Sequence, residues 1–178
     1  MHPSIILAAT LLLGQSASAA EAIDNPITSK SPELDALSFF EGFWHCEEQA
    51  SFGDADKSVL VVKKELENSW YTFKWDAGSS TTSSFTHGHA YTSWDPMLNK
   101  YVEFSFSING GYGATMADGF TDNQLIWNGG VNNYNGQSVF LRKVYKKTAD
   151  NSFTLSISVS EDGNTYGTPT VKSCTKGK

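Results

Sequence analysis

Two histidines one residue apart, His87 and His89, are followed two positions later by Tyr91 in the segment FTHGHAYTSWDP. An imidazole can bind a metal ion or carry a proton near neutral pH, and a phenol can donate a hydrogen bond to a developing oxyanion. A zinc site needs at least a third protein ligand, and no Asp or Glu follows this pair at the spacing of a cupin-like motif. The segment therefore predicts neither a metal site nor any other cofactor.

The neighbouring sequence sets the register of this segment. The turn signal DPML predicts a hairpin with the following run YVEFSFSI, in which Tyr91 lies opposite Phe104 and His89 opposite Phe106. The second strand alternates between apolar and polar residues, and the apolar side of such a strand faces the core. His87, His89, Tyr91 and the two phenylalanines are therefore predicted to face the interior of the domain.

Three hypotheses for these side chains stay open. In the first, His87, His89, Tyr91, Phe104 and Phe106 bind a small apolar, aromatic or lipid-like molecule that the protein carries. In the second, the two histidines and the tyrosine are the catalytic residues of a cofactor-independent lyase, isomerase or hydrolase, although the chain has no nucleophile elbow, phosphate loop or dinucleotide fingerprint. In the third, they fill a structural barrel that has no ligand. The first is preferred, because a few polar groups among aromatic walls are typical of small-molecule sites.

Short runs rich in β-branched and aromatic residues are the elements that position these side chains. They alternate with turn-forming clusters such as TDN, TADN and EDGN, which favours consecutive antiparallel pairing. A sheet of many up-and-down strands tends to close, since closure removes its exposed edges. We therefore predict an all-β fold, a closed antiparallel up-and-down barrel of about ten strands. The predicted strands are 42–51, 57–66, 70–76, 85–94, 101–108, 113–119, 124–129, 136–146, 152–159 and 165–175.

One short helix is predicted before the first strand. Ser31 can cap it, Pro32 suits its first position, and Gly42 follows its end. Its apolar stripe consists of Leu34, Leu37 and Phe40.

The chain is divided into three parts. Residues 1–20 join an apolar run to small residues in the pattern that a signal peptidase reads, and so predict a signal peptide. Residues 21–30 are typical of a flexible arm, and residues 31–178 form one domain. The protein is expected to be secreted or periplasmic, and no segment is long enough to predict a transmembrane helix.

The charge of the chain excludes one class of partner. Asp and Glu number 19 against 13 Lys and Arg, for a net charge of −6. Nucleic-acid binding needs a basic face, so no nucleic-acid partner is expected. The predicted partner is a small hydrophobic or aromatic molecule.

Four ordered segments resemble the lipocalin-like DUF1579 family of secreted bacterial proteins. They are LDALSFFEGFWHCEE, WDPMLNKYVEF, DGFTDNQLIWNGG and SEDGNTYGTPTVKSCTK, and the resemblance covers nearly the whole chain after the leader. It implies a calycin-type β-barrel over residues 31–178, with a short helix entering the first strand and a central cavity. It implies no reaction.

The run Gly42-Phe43-Trp44 is also similar to the G-x-W motif of lipocalins. In those proteins the tryptophan closes one barrel end, and an arginine from a late strand packs across it. Arg142 is the single arginine of the chain and so the candidate for that cation–π contact. The alternative is that Trp44 is an ordinary core residue and Arg142 an ordinary strand residue. Trp44 is structural in both cases.

Cys46 and Cys174 lie on the first and last predicted strands, which are neighbours in a closed barrel. An exported protein meets oxidising conditions, so the pair predicts a disulfide. Simple alternation places Cys46 inward, but places Cys174 on the side of Lys172 and Lys176, which we expect to face outward. A bulge in the last strand would reconcile the two, and a pair of free thiols is the alternative.

Overall fold

One antiparallel sheet makes up most of the structure, a computed structural model that describes residues 31–48, 57–77, 88–134 and 136–177. The predicted signal peptide and arm lie outside the described residues. A four-residue α-helix, α1 (Pro32–Asp35), continues into a 3-10 helix (Ala36–Phe40) and leads into the sheet. The strands are β1 (Gly42–Glu48), β2 (Lys57–Glu65), β3 (Trp70–Ala77), β4 (Gly88–Asp95), β5 (Lys100–Ser107), β6 (Tyr112–Ala117), β7 (Phe120–Thr121), β8 (Gln124–Tyr134), β9 (Gln137–Ala149), β10 (Ser152–Ser160) and β11 (Thr170–Lys176).

The sheet is a closed barrel of ten up-and-down strands. In the described ranges, strands adjacent in sequence pair with each other, except that β6 pairs with β8 and not with the two-residue strand β7, which is attached to β8. Pairing of β1 with β11 closes the barrel. The turn before β8 shows why the sequence folds this way. Asp122 and Asn123 have φ angles of 50° and 61°, and two consecutive positive φ values characterise the turn that matches the twist of a hairpin. The predicted all-β barrel with one short helix is confirmed.

The close approach of β6 and β8 depends on glycine. A Cβ atom at Gly129 would lie 2.1 Å from the carbonyl oxygen of Ala114, and one at Gly113 would lie 2.7 Å from the carbonyl oxygen of Gly130. No side chain fits at such distances, so both positions require glycine. The predicted end of this strand at residue 129 is wrong: β8 continues to Tyr134, because glycines that are typical of turns here permit close strand pairing.

The helix closes one end of the barrel. Its three stripe residues, Leu34, Leu37 and Phe40, are buried as predicted. The indole N–H of Trp44 donates to the Phe40 carbonyl at 2.7 Å, and the Tyr101 hydroxyl donates to the Glu33 carbonyl at 2.5 Å. The apolar stripe and these two hydrogen bonds therefore fix the helix against β1 and β5.

The residue after the helix forms a second attachment. Glu41 lies 3.1 Å from Nζ of Lys64 and accepts a hydrogen bond from the Tyr71 hydroxyl at 2.8 Å. Burial, together with the neighbouring carboxylate, raises the pKa of Tyr71 to about 12. The phenol therefore stays protonated and continues to donate to Glu41 at neutral pH.

The barrel seam carries the predicted disulfide. Cys46 of β1 and Cys174 of β11 face each other in register and are bonded, with both side chains buried. Lys172 is 3% exposed and shares the inner face with Cys174, so the expectation that this side of β11 faces outward is wrong. No bulge is needed, and the seam joins residues 128 positions apart.

Arg142 does not contact Trp44. Its side chain is exposed on the outer face, where Nε donates to Asn128 at 3.0 Å and the guanidinium lies 4.3 Å from the ring of Tyr166. The candidate Arg142–Trp44 contact is therefore not formed, and the alternative, in which Arg142 is an ordinary strand residue, is the one that the structure has. The cation over the Trp44 ring is Lys176, at 5.2 Å, and it reaches the indole because β11 is paired directly with β1.

None of the helices in the described ranges is long and apolar enough to cross a membrane.

Candidate functional site

The hairpin between β4 and β5 has the predicted register, but its side chains face the opposite way from the prediction. Tyr91 pairs with Phe104 and His89 with Phe106, as expected. Phe104 is 45% exposed and Phe106 53% exposed, however, whereas Glu103 between them is 2% exposed. The prediction that His89, Tyr91, Phe104 and Phe106 face the interior is wrong, because the polar side of β5 faces inward.

A partner on a distant strand explains this reversal. Lys143 of β9 forms an ion pair with the Glu103 carboxylate inside the barrel, and the Thr115 hydroxyl donates to the same oxygen at 3.3 Å. A buried carboxylate is destabilising unless it has a cation and hydrogen-bond donors. Lys143 and Thr115 provide both, so β5 can bury Glu103 and leave its phenylalanines outside.

The predicted histidine site is not assembled in the described part of the chain. His87 lies outside the described residues. His89 is exposed, and Tyr91 lies on the same outer face, opposite the exposed Phe104. Their predicted part in ligand binding or catalysis stays a prediction. Within residues 31–48, 57–77, 88–134 and 136–177, no group of three His, Cys, Asp or Glu side chains is placed to hold a metal ion.

A cavity of about 90 Å³ lies inside the barrel at the end opposite the helix. Strand β5 shows the direction: Tyr101 at one end contacts the helix, and Ser107 at the other end lines the cavity. Asn109 and Tyr112 also line it and are exposed, so the cavity reaches the surface beside the β5–β6 turn. His89 and Phe106 border it with side chains on the outer face, so their backbone forms part of the wall.

The walls of the cavity are largely apolar. The side chains that form them come from β3, β8, β9 and β10, where the inward positions alternate with outward ones. They are Trp75, Val131, Leu141, Leu155 and Ile157. The indole of Trp75 reaches the cavity, whereas the large aromatic side chains of Tyr71 and Trp127 are buried in the core.

Tyr145 is a hydrogen-bond donor in this cavity. Burial raises the pKa of its phenol well above the ordinary value, and the nearby Glu103 carboxylate raises it further. The phenol therefore stays protonated at neutral pH, and its O–H can donate a hydrogen bond at the cavity wall.

Two lysines and one carboxylate line the cavity. Lys143 is paired with Glu103, and both are buried. Lys172, also buried, has its Nζ 3.6 Å from the Glu48 carboxylate and 3.4 Å from the Ser58 hydroxyl. The cavity is thus an apolar chamber with a few converging polar groups, which is the usual composition of a small-molecule site.

Four polar residues of the cavity are not among the site residues that the sequence predicts: Glu103, Lys143, Tyr145 and Lys172. One signal was present: in FLRKVYKK, Lys143 alternates with Leu141 and Tyr145, so an inward Leu141 implies an inward lysine. Lys172 alternates in the same way with Cys174. The outward facing expected for Lys172 follows from the rule that an unpaired lysine is almost always exposed.

The fold and the site define a class of protein, an antiparallel up-and-down β-barrel with an internal cavity at one end. A comparison of the chain with protein-family models finds no match, and a comparison with curated proteins finds none either.

Proposed function

We propose that this protein binds a small molecule with a compact apolar or aromatic body in the barrel cavity. The observation that carries the proposal is the cavity itself. Its walls are Trp75, Leu155, Ile157 and their neighbours, and Glu103 and Lys143 provide fixed polar groups. Small-molecule sites combine these two features in the same way.

The volume of the cavity limits the ligand. An apolar cavity of ~150 Å³ is large enough to bind benzene, and the one in this barrel measures about 90 Å³. The enclosed part of the ligand is therefore limited to the size of a small ring or a branched alkyl group, and the remainder of the molecule extends toward the exposed Tyr112. A compact molecule fits this space better than a long lipid chain does.

Ligand binding is tested by tryptophan fluorescence. One of the five tryptophans, Trp75, lines the cavity, so an occupied cavity should change the emission of the wild type and leave that of Trp75→Phe nearly constant. The panel pairs acids with their amides and includes aromatic and branched aliphatic compounds. A wild-type spectrum that no compound changes would contradict the proposal.

Two phenylalanine substitutions on one strand provide a matched control. Ile157→Phe places a larger side chain in the cavity and should weaken binding at least tenfold. Ser156→Phe places the same ring on the opposite face of β10 and should leave the affinity unchanged. Equal affinity in both variants would show that the ligand binds elsewhere.

We further infer that the protein is exported and that it belongs to the family its sequence resembles. The signal-peptide pattern of residues 1–20 and the Cys46–Cys174 disulfide support export, because disulfides form and persist in oxidising compartments. The family that the sequence resembles implies a β-barrel, and the closed barrel of this chain supports that resemblance. Expression of the full chain with cell fractionation tests export: cleavage of the leader and a bonded cysteine pair in the exported fraction are expected, and retention of an uncleaved chain in the cytoplasm would contradict it.

A further inference from the structure

We propose that the protein forms a twofold-symmetric dimer through the outer face of β5 and β6, with a second copy of the same chain as its partner. This inference goes beyond ligand binding and does not depend on it. It rests on three properties of the face: its apolar area, its lack of charge and its shape.

The outer face of β5 and β6 carries two adjacent apolar rows. Residues that lie directly opposite each other on antiparallel strands point to the same face. Three such pairs lie side by side: Val102 with Met116, Phe104 with Ala114, and Phe106 with Tyr112. All of them except the partly buried Val102 are exposed, and Ile108 extends the apolar surface at the open end of the barrel. These residues together are called the β5–β6 patch.

The area of the β5–β6 patch suits a dimer. Its five exposed large side chains each leave about half of their surface or more in solvent, so together they present roughly 500 Å². A patch of that size is at the upper end of what soluble monomers expose, and such patches often mark interaction sites. A stable interface buries about 800 Å² on each partner. The patch therefore provides the apolar centre of a standard interface, and the residues around it provide the rest.

Charge favours a second copy over other partners. The β5–β6 patch has no Asp, Glu, Lys or Arg, and neither do the positions paired with it on the two flanking strands. Those positions are His89, Tyr91 and Ser93 of β4 and Asn128, Gly130 and Asn132 of β8. Two copies of such a surface meet without bringing like charges together, so the patch is complementary to itself. A lipid surface fits less well, because membrane-binding faces carry Lys or Arg beside their apolar residues and the chain has a net charge of −6.

The shape of the β5–β6 patch suits a twofold contact. Both strands are paired on each side, so a second copy packs its side chains against this face and does not add a strand. The central pair joins a large residue, Phe104, to a small one, Ala114. With a twofold axis between these two residues, the Phe104 ring of each copy lies over Ala114 of the other. The Trp70 ring packs beside Phe104, with centroids 6.2 Å apart, and supports it in that position.

The test measures the mass of the protein in solution. Protein purified after expression of the full chain is studied by sedimentation equilibrium over a hundredfold range of concentration. A monomer–dimer equilibrium without larger species is expected, because an isologous contact closes at two copies. Phe104→Asp and Ala114→Glu each place two like charges at the centre of the interface, one from each copy, and should weaken dimerisation at least a hundredfold. Ala114→Glu removes no packing from the monomer, since Ala114 is exposed.

Phe43 provides the matched control. Like Phe104, it is an exposed phenylalanine on the outer face, but it lies on β1, at the opposite side of the barrel. Phe43→Asp makes the same chemical change and should leave the dimer dissociation constant within threefold of the wild-type value.

Several results would overturn the inference. They are a chain that stays monomeric over the whole range, oligomers that grow beyond two copies, a dimer that survives both patch variants, and a dimer that Phe43→Asp weakens as much as Phe104→Asp does. A monomer that floats with vesicles of phosphatidylethanolamine and phosphatidylglycerol, and that Phe104→Asp releases from them, would assign the β5–β6 patch to a lipid surface instead. Phe104 and Ala114 do not line the cavity, so each of these results is independent of ligand binding.

Discussion

Lys143 of β9 contacts Glu103 of β5 across two intervening strands. The inward residues between them are Thr115 of β6 and Gly129 of β8, both small, so the lysine side chain can cross the barrel to the carboxylate. The pair thus connects strands that share no backbone hydrogen bonds. It also occupies the boundary between the packed core near the helix and the cavity at the other end.

Breaking this ion pair on one side should destabilise the protein strongly. Lys143→Met leaves a buried carboxylate without a cation, and we expect the free energy of unfolding to fall by about 3–5 kcal/mol. Glu103→Leu combined with Lys143→Met removes both charges and should lie within about 2 kcal/mol of the wild type. Urea unfolding followed by tryptophan fluorescence measures all three proteins.

The exposed ion pair between Lys100 and Asp118 provides the control for these variants. Lys100→Met should change the free energy of unfolding by less than about 1 kcal/mol, because solvent screens the pair. If Lys143→Met proves as mild as Lys100→Met, Glu103 and Lys143 are not buried together in solution.

Two threonines on the same inner row should respond oppositely to valine. The Thr92 hydroxyl is fully buried and has no hydrogen-bond partner among the described residues, whereas the Thr115 hydroxyl donates to Glu103. An unsatisfied buried hydroxyl is destabilising by about 1–3 kcal/mol, so Thr92→Val should increase the free energy of unfolding and Thr115→Val should decrease it. Thermal and urea unfolding of the two variants give the signs. A loss of stability in Thr92→Val would indicate that its hydroxyl has a partner, such as a buried water.

Local patterns in the sequence predicted the barrel well. The helix stripe of Leu34, Leu37 and Phe40 is visible within a few residues, and the register of β4 and β5 follows from one turn. The disulfide follows from two cysteines on strands that closure brings together. In each case the information lies within one element or in the rule that a sheet closes.

The candidate site was not predicted because its information is not local. Glu103 can face inward only because Lys143, 40 residues away, compensates its charge, and a period of two does not distinguish the faces of a strand. Phe104 and Phe106 made the apolar side of β5 resemble a core face. The side of β5 that faces the interior depends on the ion pair between Glu103 and Lys143 across the barrel. No pattern along β5 reveals that pair.

The outward facing of Phe106 is itself testable. Its side chain is 53% exposed, so Phe106→Ser should reduce the free energy of unfolding by less than about 1.5 kcal/mol. A phenylalanine in a packed core loses about 3–5 kcal/mol on truncation, and Phe153→Ala provides that comparison because Phe153 is 1% exposed. Similar losses in the two variants would mean that β5 faces the other way.

The stability of the connection between β10 and β11 should depend on pH through one carboxylate, that of Asp162. Asp162 accepts hydrogen bonds from the backbone N–H groups of Thr165 and Asn164 and from the Ser160 hydroxyl, each at 2.8 Å. These bonds lower the pKa of Asp162 from 3.8 to about 2. Since the folded pKa lies below the unfolded one, the stabilisation is present above about pH 4 and is lost as the pH falls through 2.

An NMR titration of the Asp162 carboxyl carbon measures this pKa directly. The amide resonances of Asn164 and Thr165 should shift with the same midpoint, because protonation removes the charge that they donate to. In Asp162→Asn the side chain still offers an acceptor oxygen but does not titrate, so those amides should show no transition near pH 2. A midpoint near 4 for the wild-type carboxyl would mean that the three hydrogen bonds do not persist in solution, and that the connection is not fixed by this residue.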